Sequence, residues 1–282
     1  MSESSTDPER VMILHLQTVP ARNGLLWVRH GFKLFQRRPM ALAGLFSASI
    51  LITALIAMLP VVGALTMMAL PLITLGFMQA SHLVLQDKTP GIGVFIAPLR
   101  LTAQRRRSLL LLCASYGLLF IGASELCLQL AGDSIDALRQ AIASGNVDPA
   151  QLEPLLSDPR LNGASLLLML TLALLSIPYW HAPALIHWGG QGVLQALFSS
   201  TLALWRNKGA FALNALCWLA LGLAASTLIS LLSLLLGLSS IAPMLLIGTG
   251  MLMSTVFYAS LYFTFVDCFM FGAPRDLLDT KS

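Results

Sequence analysis

Five ionisable side chains stand inside long apolar runs of this sequence: His82, Glu125, His181, His187 and Asp267. Ionisable groups in such runs are costly to keep and point to function by default. Imidazoles beside a carboxylate can pass a proton, ligate a metal or bind an anionic group. Glu125 falls near one end of its run and can reach an aqueous boundary. The other four fall toward the opposite ends of alternate runs, in the company of Gln79, Tyr179 and Trp180. They define a candidate inner polar pocket of His82, His181, His187 and Asp267. Against that reading, side chains within two turns of a helix end can extend to the lipid headgroups, and His and Trp suit interfacial belts. The polar positions also fall out of register with one another.

Other chemistry is scarce. Cys113, Cys127, Cys217 and Cys268 form no C-x-x-C pair and lie in apolar surroundings, which predicts buried thiols and no disulfide or zinc site. H-E-x-x-H, G-x-S-x-G and the phosphate-binding G-x-x-x-x-G-K-[ST] are absent from the sequence. No catalytic residue, metal or other cofactor is expected.

The elements that must position these groups follow from composition. The chain has 282 residues, of which 56% are hydrophobic and 11% charged, with mean hydropathy +0.78. Soluble domains carry about 25% charged residues, so this chain lacks the means to cover a water-facing surface. A membrane-crossing helix needs about 20 apolar residues. Six stretches qualify: 40–59, 61–85, 108–130, 164–187, 210–236 and 243–270. They are continuous runs, not the short alternating segments of barrel strands, and a helix satisfies its own backbone in lipid. The expected fold is all-α: a polytopic membrane helical bundle with one transmembrane domain, 22–271. A tail, 1–21, precedes it and a second, 272–282, follows. The first apolar run starts too late for a cleavable signal peptide, and the acidic stretch 1–9 predicts disorder.

All but two of the 17 Lys and Arg residues fall on one side of these spans, the exceptions being Arg139 and Arg160 in the 131–163 loop. Retained Lys and Arg mark the cytoplasmic side. Both termini are therefore expected in the cytoplasm and the long loop outside. That loop has room for two short helices, with Asp133 or Ser134 and Asp148–Pro149 as starts.

The basic residues also recur in pattern. "FQRRPMALAG", "AQRRRSLLLL" and "LWRNKGAFAL" each place cations directly before a span. Aligning Arg38, Arg107 and Lys208 gives offsets of 69 and 101 residues, a mismatch close to the size of the long loop. The chain reads as three parallel repeats of an interfacial helix plus a transmembrane hairpin. In the first interfacial segment Leu25, Trp27, Val28, Phe32 and Phe35 share one face, and Arg29, Lys33, Gln36 and Arg37 the other. This predicts an in-plane amphipathic helix meeting anionic headgroups. In the third, Leu194, Leu197, Phe198, Leu202 and Trp205 share a face. Pro98 interrupts the second. The remaining junction cations, Arg38, Arg105, Arg106, Arg107, Arg206 and Lys208, serve the membrane surface and topology; nucleic-acid binding is not expected.

"VPARNGLLWVRHGFKLFQRRP", "LPVVGALTMMALPLITLGFM", "APALIHW", "ALFSSTLALWRNKGAF" and "YASLYFTFVDCF" together resemble an uncharacterised family of mostly proteobacterial integral membrane proteins. The resemblance runs from Val19 to Phe269 and leaves out the long loop; "RNKGAF" is its sharpest match. It implies a six-span protein of the bacterial inner membrane and carries no catalytic residue. The expected function is non-enzymatic support of the envelope or of a membrane complex. The expected partners are membrane lipids, anionic headgroups foremost, and a membrane protein. The alternative is a transporter or lipid-handling protein that uses the cytoplasm-facing pocket.

Overall fold

The computed structural model describes residues 15–59, 63–143, 154 and 156–269. The acidic stretch 1–9, Pro60, the Asp148–Pro149 start and the 272–282 tail lie outside the described residues. The described residues form ten α-helices: α1 Asn23–Arg37, α2 Pro39–Ala57, α3 Leu70–Leu85, α4 Ala103–Ala131, α5 Asp133–Ala143, α6 Pro159–Tyr179, α7 Ala182–Gly189, α8 Val193–Arg206, α9 Lys208–Leu235 and α10 Ala242–Phe269. A 3₁₀ helix, Gly63–Ala69, leads into α3, and two 3₁₀ turns, Ile92–Phe95 and Ala97–Arg100, precede α4. No strand occurs among the described residues. Six helical stretches are long and apolar enough to cross a membrane: Pro39–Ala57, Thr66–Leu85, Ala103–Ala131, Pro159–Gly189, Lys208–Leu235 and Ala242–Phe269.

The spans fall where the apolar runs predict, with physical reasons for the differences. Pro39 occupies the first turn of α2, where its missing N–H is no loss. The third span starts at 103, so the triplet Arg105–Arg107 belongs to the helix itself. Within the 61–85 run, Gly63–Ala69 is 3₁₀ and the chain is α-helical from Leu70.

The 164–187 run is broken at Trp180–His181 into α6 and α7. The break is filled from outside. The His181 N–H donates to Ser200 Oγ at 3.0 Å, and that hydroxyl donates to the Ile177 carbonyl at 3.1 Å. These two backbone groups would bond directly in an unbroken helix. Ser200, on α8, is thus wedged into the ladder, flanked by Pro178 and Pro183.

Most of the core lies at the end of the bundle that carries the basic junctions. Trp27, Leu34, Phe77, Met78, Leu185 and Phe265 are among its fully buried side chains. α1 packs against α9 and α10, and its contact with α9 is close because Gly24 has no side chain. A Cβ there would collide with the Ala210 carbonyl. So α1's apolar face is largely enclosed by protein: Trp27, Val28 and Leu34 are buried, while Leu25 is exposed. α8 does the reverse. Its small residues Ala196, Ser200 and Ala203 face the protein, whereas Leu194, Phe198 and Trp205 are exposed. The second segment, containing Pro98, is two 3₁₀ turns instead of a helix. In α9 only Ala210, Asn214 and Ser233 are buried, as suits a helix facing lipid along most of its length.

At the other end, α5 packs on α4 and α6 around Cys127, Ala131, Leu161 and Ala164. Ser134 does not cap α5. Its hydroxyl donates to Asp158 Oδ2 at 2.6 Å, while Asp158 Oδ1 caps α6 by accepting from the Arg160 N–H at 2.7 Å. The Ser134 hydroxyl, followed by the Arg160 amide, holds the Asp158 carboxyl below its usual range.

Candidate functional site

The four candidate polar residues stand at three places, not in one pocket. Asp267 lies one turn from the end of α10 and turns toward α1. Its Oδ2 accepts from Asn23 Nδ2 at 2.7 Å and from Trp27 Nε1 at 2.8 Å. Charge-assisted bonds of this kind are roughly twice as strong as neutral ones. They fasten the first helix to the last. Next to this contact the chain at 15–19 is held in the same way: Gln17 N–H donates to the Cys268 carbonyl at 2.8 Å. Asn207 completes the clasp. Its Oδ1 accepts from the Val19 N–H at 2.8 Å and its Nδ2 donates to the Gln17 carbonyl at 3.0 Å. Asn207 precedes α9 in the capping position, but its side chain makes no cap because it is engaged with the N-terminal segment.

His181 is fully buried at the α6–α7 break, among the rings of Phe211, Phe265 and Phe269. Thr264 spends its hydrogen on the Leu261 carbonyl, so its oxygen accepts from His181 Nε2 at 3.0 Å. The imidazole joins the break to α10.

His82 and His187 share a cleft of about 500 Å³ with Gln79 and Trp188. The Gln86 amide donates to His82 Nε2 at 2.9 Å, which leaves the His82 Nδ1–H to donate to the Tyr262 hydroxyl at 2.8 Å. Likewise Gln79 Nε2 donates to His187 Nε2 at 2.8 Å. The His187 proton therefore sits on Nδ1, which is buried and has no hydrogen-bond partner among the described residues. Arg105 Nη1 donates to the His187 carbonyl at 3.3 Å, placing a guanidinium at the rim. Among the described residues no three His, Cys, Asp or Glu side chains are grouped to hold a metal.

The basic residues distribute as follows. Arg29, Arg38, Arg106, Arg107, Arg206 and Lys208 are exposed, while Lys33, Arg37 and Arg105 are half-buried. Arg38 donates to the Asp87 carbonyl at 3.2 Å, tying the first junction to the turn after α3. Lys208 Nζ stands 5.4 Å from the centre of the Trp205 ring, a cation–π distance. Glu125 is exposed near the far end of α4.

Comparison with known proteins bears on this arrangement. The chain is 30% identical over 267 residues to a probable inner membrane protein of Burkholderia thailandensis, covering 93% of this chain and 97% of that one. The chain belongs to the family of that protein. No family model matches the sequence, and no solved structure matches it. With six membrane-capable helices, it is a multi-pass inner-membrane protein.

Four residues of this inner-membrane protein that organise its basic end were not singled out as polar candidates: Asn23, Trp27, Ser200 and Asn207. Trp27 and Ser200 read as ordinary members of helix faces. Asn207 had one signal, its place in "RNKGAF", the sharpest stretch of the resemblance.

Proposed function

We propose that this chain is a non-enzymatic inner-membrane protein that supports the envelope or a membrane complex. One observation supports this reading above the others: the intramembrane polar groups are largely engaged in joining helices. Asp267 holds Asn23 and Trp27, His181 holds Thr264, and His82 holds Tyr262. A catalytic constellation would instead direct a nucleophile and a base toward one reacting atom. Both termini and the basic junctions face the cytoplasm, where they meet anionic lipid headgroups, and the 131–163 loop faces outward. The element order supports a build of three parallel repeats, since each span pair follows a basic junction.

A strain lacking the chain tests the proposal. It should take up a large dye that the parent strain excludes, and re-expression should restore exclusion. Unchanged dye uptake, with unchanged abundance of other membrane proteins, would overturn it.

A further inference from the structure

Tyrosines from three helices line one cavity deep in the bundle. Tyr116 of α4, Tyr179 of α6 and Tyr258 of α10 border a space of about 140 Å³, together with Trp180 and Phe257. Two helix ends lie beside it: α3 begins at Leu70, with Pro71 in its first turn, and α6 ends at Tyr179. Tyr116 and Tyr258 stand about 17–20 Å along α4 and α10 from the basic-side ends of those helices, at 1.5 Å per residue. The cavity is therefore far from either headgroup layer of a hydrocarbon core about 30 Å thick. Half-buried Ser176 and Phe257 belong to its wall, so it opens between helices toward lipid. No charged side chain lines it among the described residues.

The hydroxyls here are not equivalent. Thr74 and Ser176 spend their hydrogens on the Leu70 and Ala173 carbonyls. Ser115 spends its own on the Leu112 carbonyl, so the Tyr179 hydroxyl donates to Ser115 at 2.8 Å. The Tyr116 and Tyr258 hydroxyls make no hydrogen bond among the described residues. Tyr116 is only 7% exposed, yet neither oxygen is sealed off from the cavity. In hydrocarbon a donor without an acceptor is costly. The space also has a shape. A cavity of about 150 Å³ takes a single six-membered ring. Aromatic rings wall this one, Tyr116 edge-on to Tyr179 at 5.0 Å and Trp180 edge-on to Phe257 at 6.0 Å. An acyl chain would bring no acceptor, and an anion would meet no cation. We propose that the cavity holds the head of a lipid-soluble quinone, an uncharged ring whose carbonyl oxygens accept from Tyr116 and Tyr258, its alkyl tail leaving between the helices. The proposal is of binding alone. It goes beyond the supporting role proposed above and is tested separately: dye exclusion reads that role, and quinone binding reads this site.

The full purified chain in detergent, titrated with decylubiquinone, decides the matter. A quinone beside Trp180 should quench part of the tryptophan emission and saturate at one per chain, and Trp180→Phe should abolish that part. Tyr116→Phe and Tyr258→Phe keep the ring and lose the hydroxyl. Each should weaken binding about three- to tenfold, the scale of one hydrogen bond. Excess decylbenzene, which has the ring and tail without carbonyls, should leave the quenching in place. Elution volume and helicity should stay unchanged in all three variants. Quenching that rises without saturating, as from quinone dissolved in the micelle, would mean a cavity filled by water or detergent and would overturn the proposal. So would saturable quenching that persists in Trp180→Phe, or tyrosine variants that bind as the wild type does. Displacement by decylbenzene would show a merely apolar cavity and overturn the assignment of the two hydroxyls.

Discussion

The Ser200 hydroxyl replaces the direct hydrogen bond between His181 and Ile177, accepting from one backbone group and donating to the other. Interhelical side-chain bonds in membranes average only about 0.6 kcal/mol. Here, however, removal leaves two buried backbone groups unpaired, at about 1–3 kcal/mol each. Ser200→Ala should therefore destabilise the protein by about 2 kcal/mol or more, read as a lower thermal midpoint in detergent. Gln195→Ala, at an exposed position of the same helix, should change little. Equal midpoints for the two variants would show that the wedge carries no weight.

The Asp267 carboxylate joins α10 to α1 through two donors. Hydrogen bonds to charged groups contribute about 1.5–3 kcal/mol. Asp267→Ala should loosen α1 and let water reach Trp27, which is fully buried in the wild type. The measurement is a red shift of tryptophan emission that Trp27→Phe abolishes. A double-mutant cycle of Asn23→Ala with Asp267→Ala should show coupling of about 1 kcal/mol or more. Purely additive effects would mean that the Asn23 contact is incidental.

Those two contacts also show what was and was not legible in the sequence. Spans were legible because a run of apolar residues has few options in lipid. The break at 180–181 had a signal in Pro178 and Pro183, but nothing local says that a serine about 20 residues later would fill it. Helical periodicity put Trp27 on the apolar face of α1, and the structure keeps it there. Periodicity does not reveal whether that face meets acyl chains or protein. It meets α9 and α10, and this enclosure brings Trp27 to Asp267, 240 residues away. The same blindness applies to His82, His181, His187 and Asp267. Their depth could be read from their places in the runs, but their directions around each helix axis depended on packing. Only His82 and His187 turn into the same cleft.

Asn207 grips the backbone of Gln17 and Val19 with both ends of its amide. Asn207→Ala should release this segment, seen as faster hydrogen exchange at the Val19 amide. Asn207→Asp separates the two bonds. It still accepts from Val19 but cannot donate to Gln17, so exchange should fall between wild type and alanine. Protection equal to wild type in Asn207→Ala would place the anchor of the segment elsewhere.

At the opposite end, Asp158 is a pH-sensitive tie between α5 and α6. Its carboxyl is held below the ordinary value of 3.8 by Ser134 and the Arg160 amide. A carboxylate with a lowered value adds stability that is complete above its ordinary value and lost as pH falls through the lowered one. Protection of α5 amides, corrected for intrinsic exchange, should thus weaken as pH drops below 3.8. Asp158→Asn should remove that dependence. A wild-type profile that stays flat in acid would break the link between this carboxyl and the packing of α5.

Orientation follows from charge and can be tested on the same loop. Arg139 is exposed on α5, and its pairing with Asp136 at 3.3 Å is an exposed contact that contributes little. It is a safe site for a probe. In a background with the four native cysteines replaced, Arg139→Cys should react with a membrane-impermeant maleimide in intact spheroplasts. Lys88→Cys, in the turn after α3, should react only after the membrane is opened. The prediction rests on the Lys and Arg bias alone, because acidic residues such as Asp133 and Asp136 contribute little to topology. Labelling of Lys88→Cys from outside would invert the whole bundle.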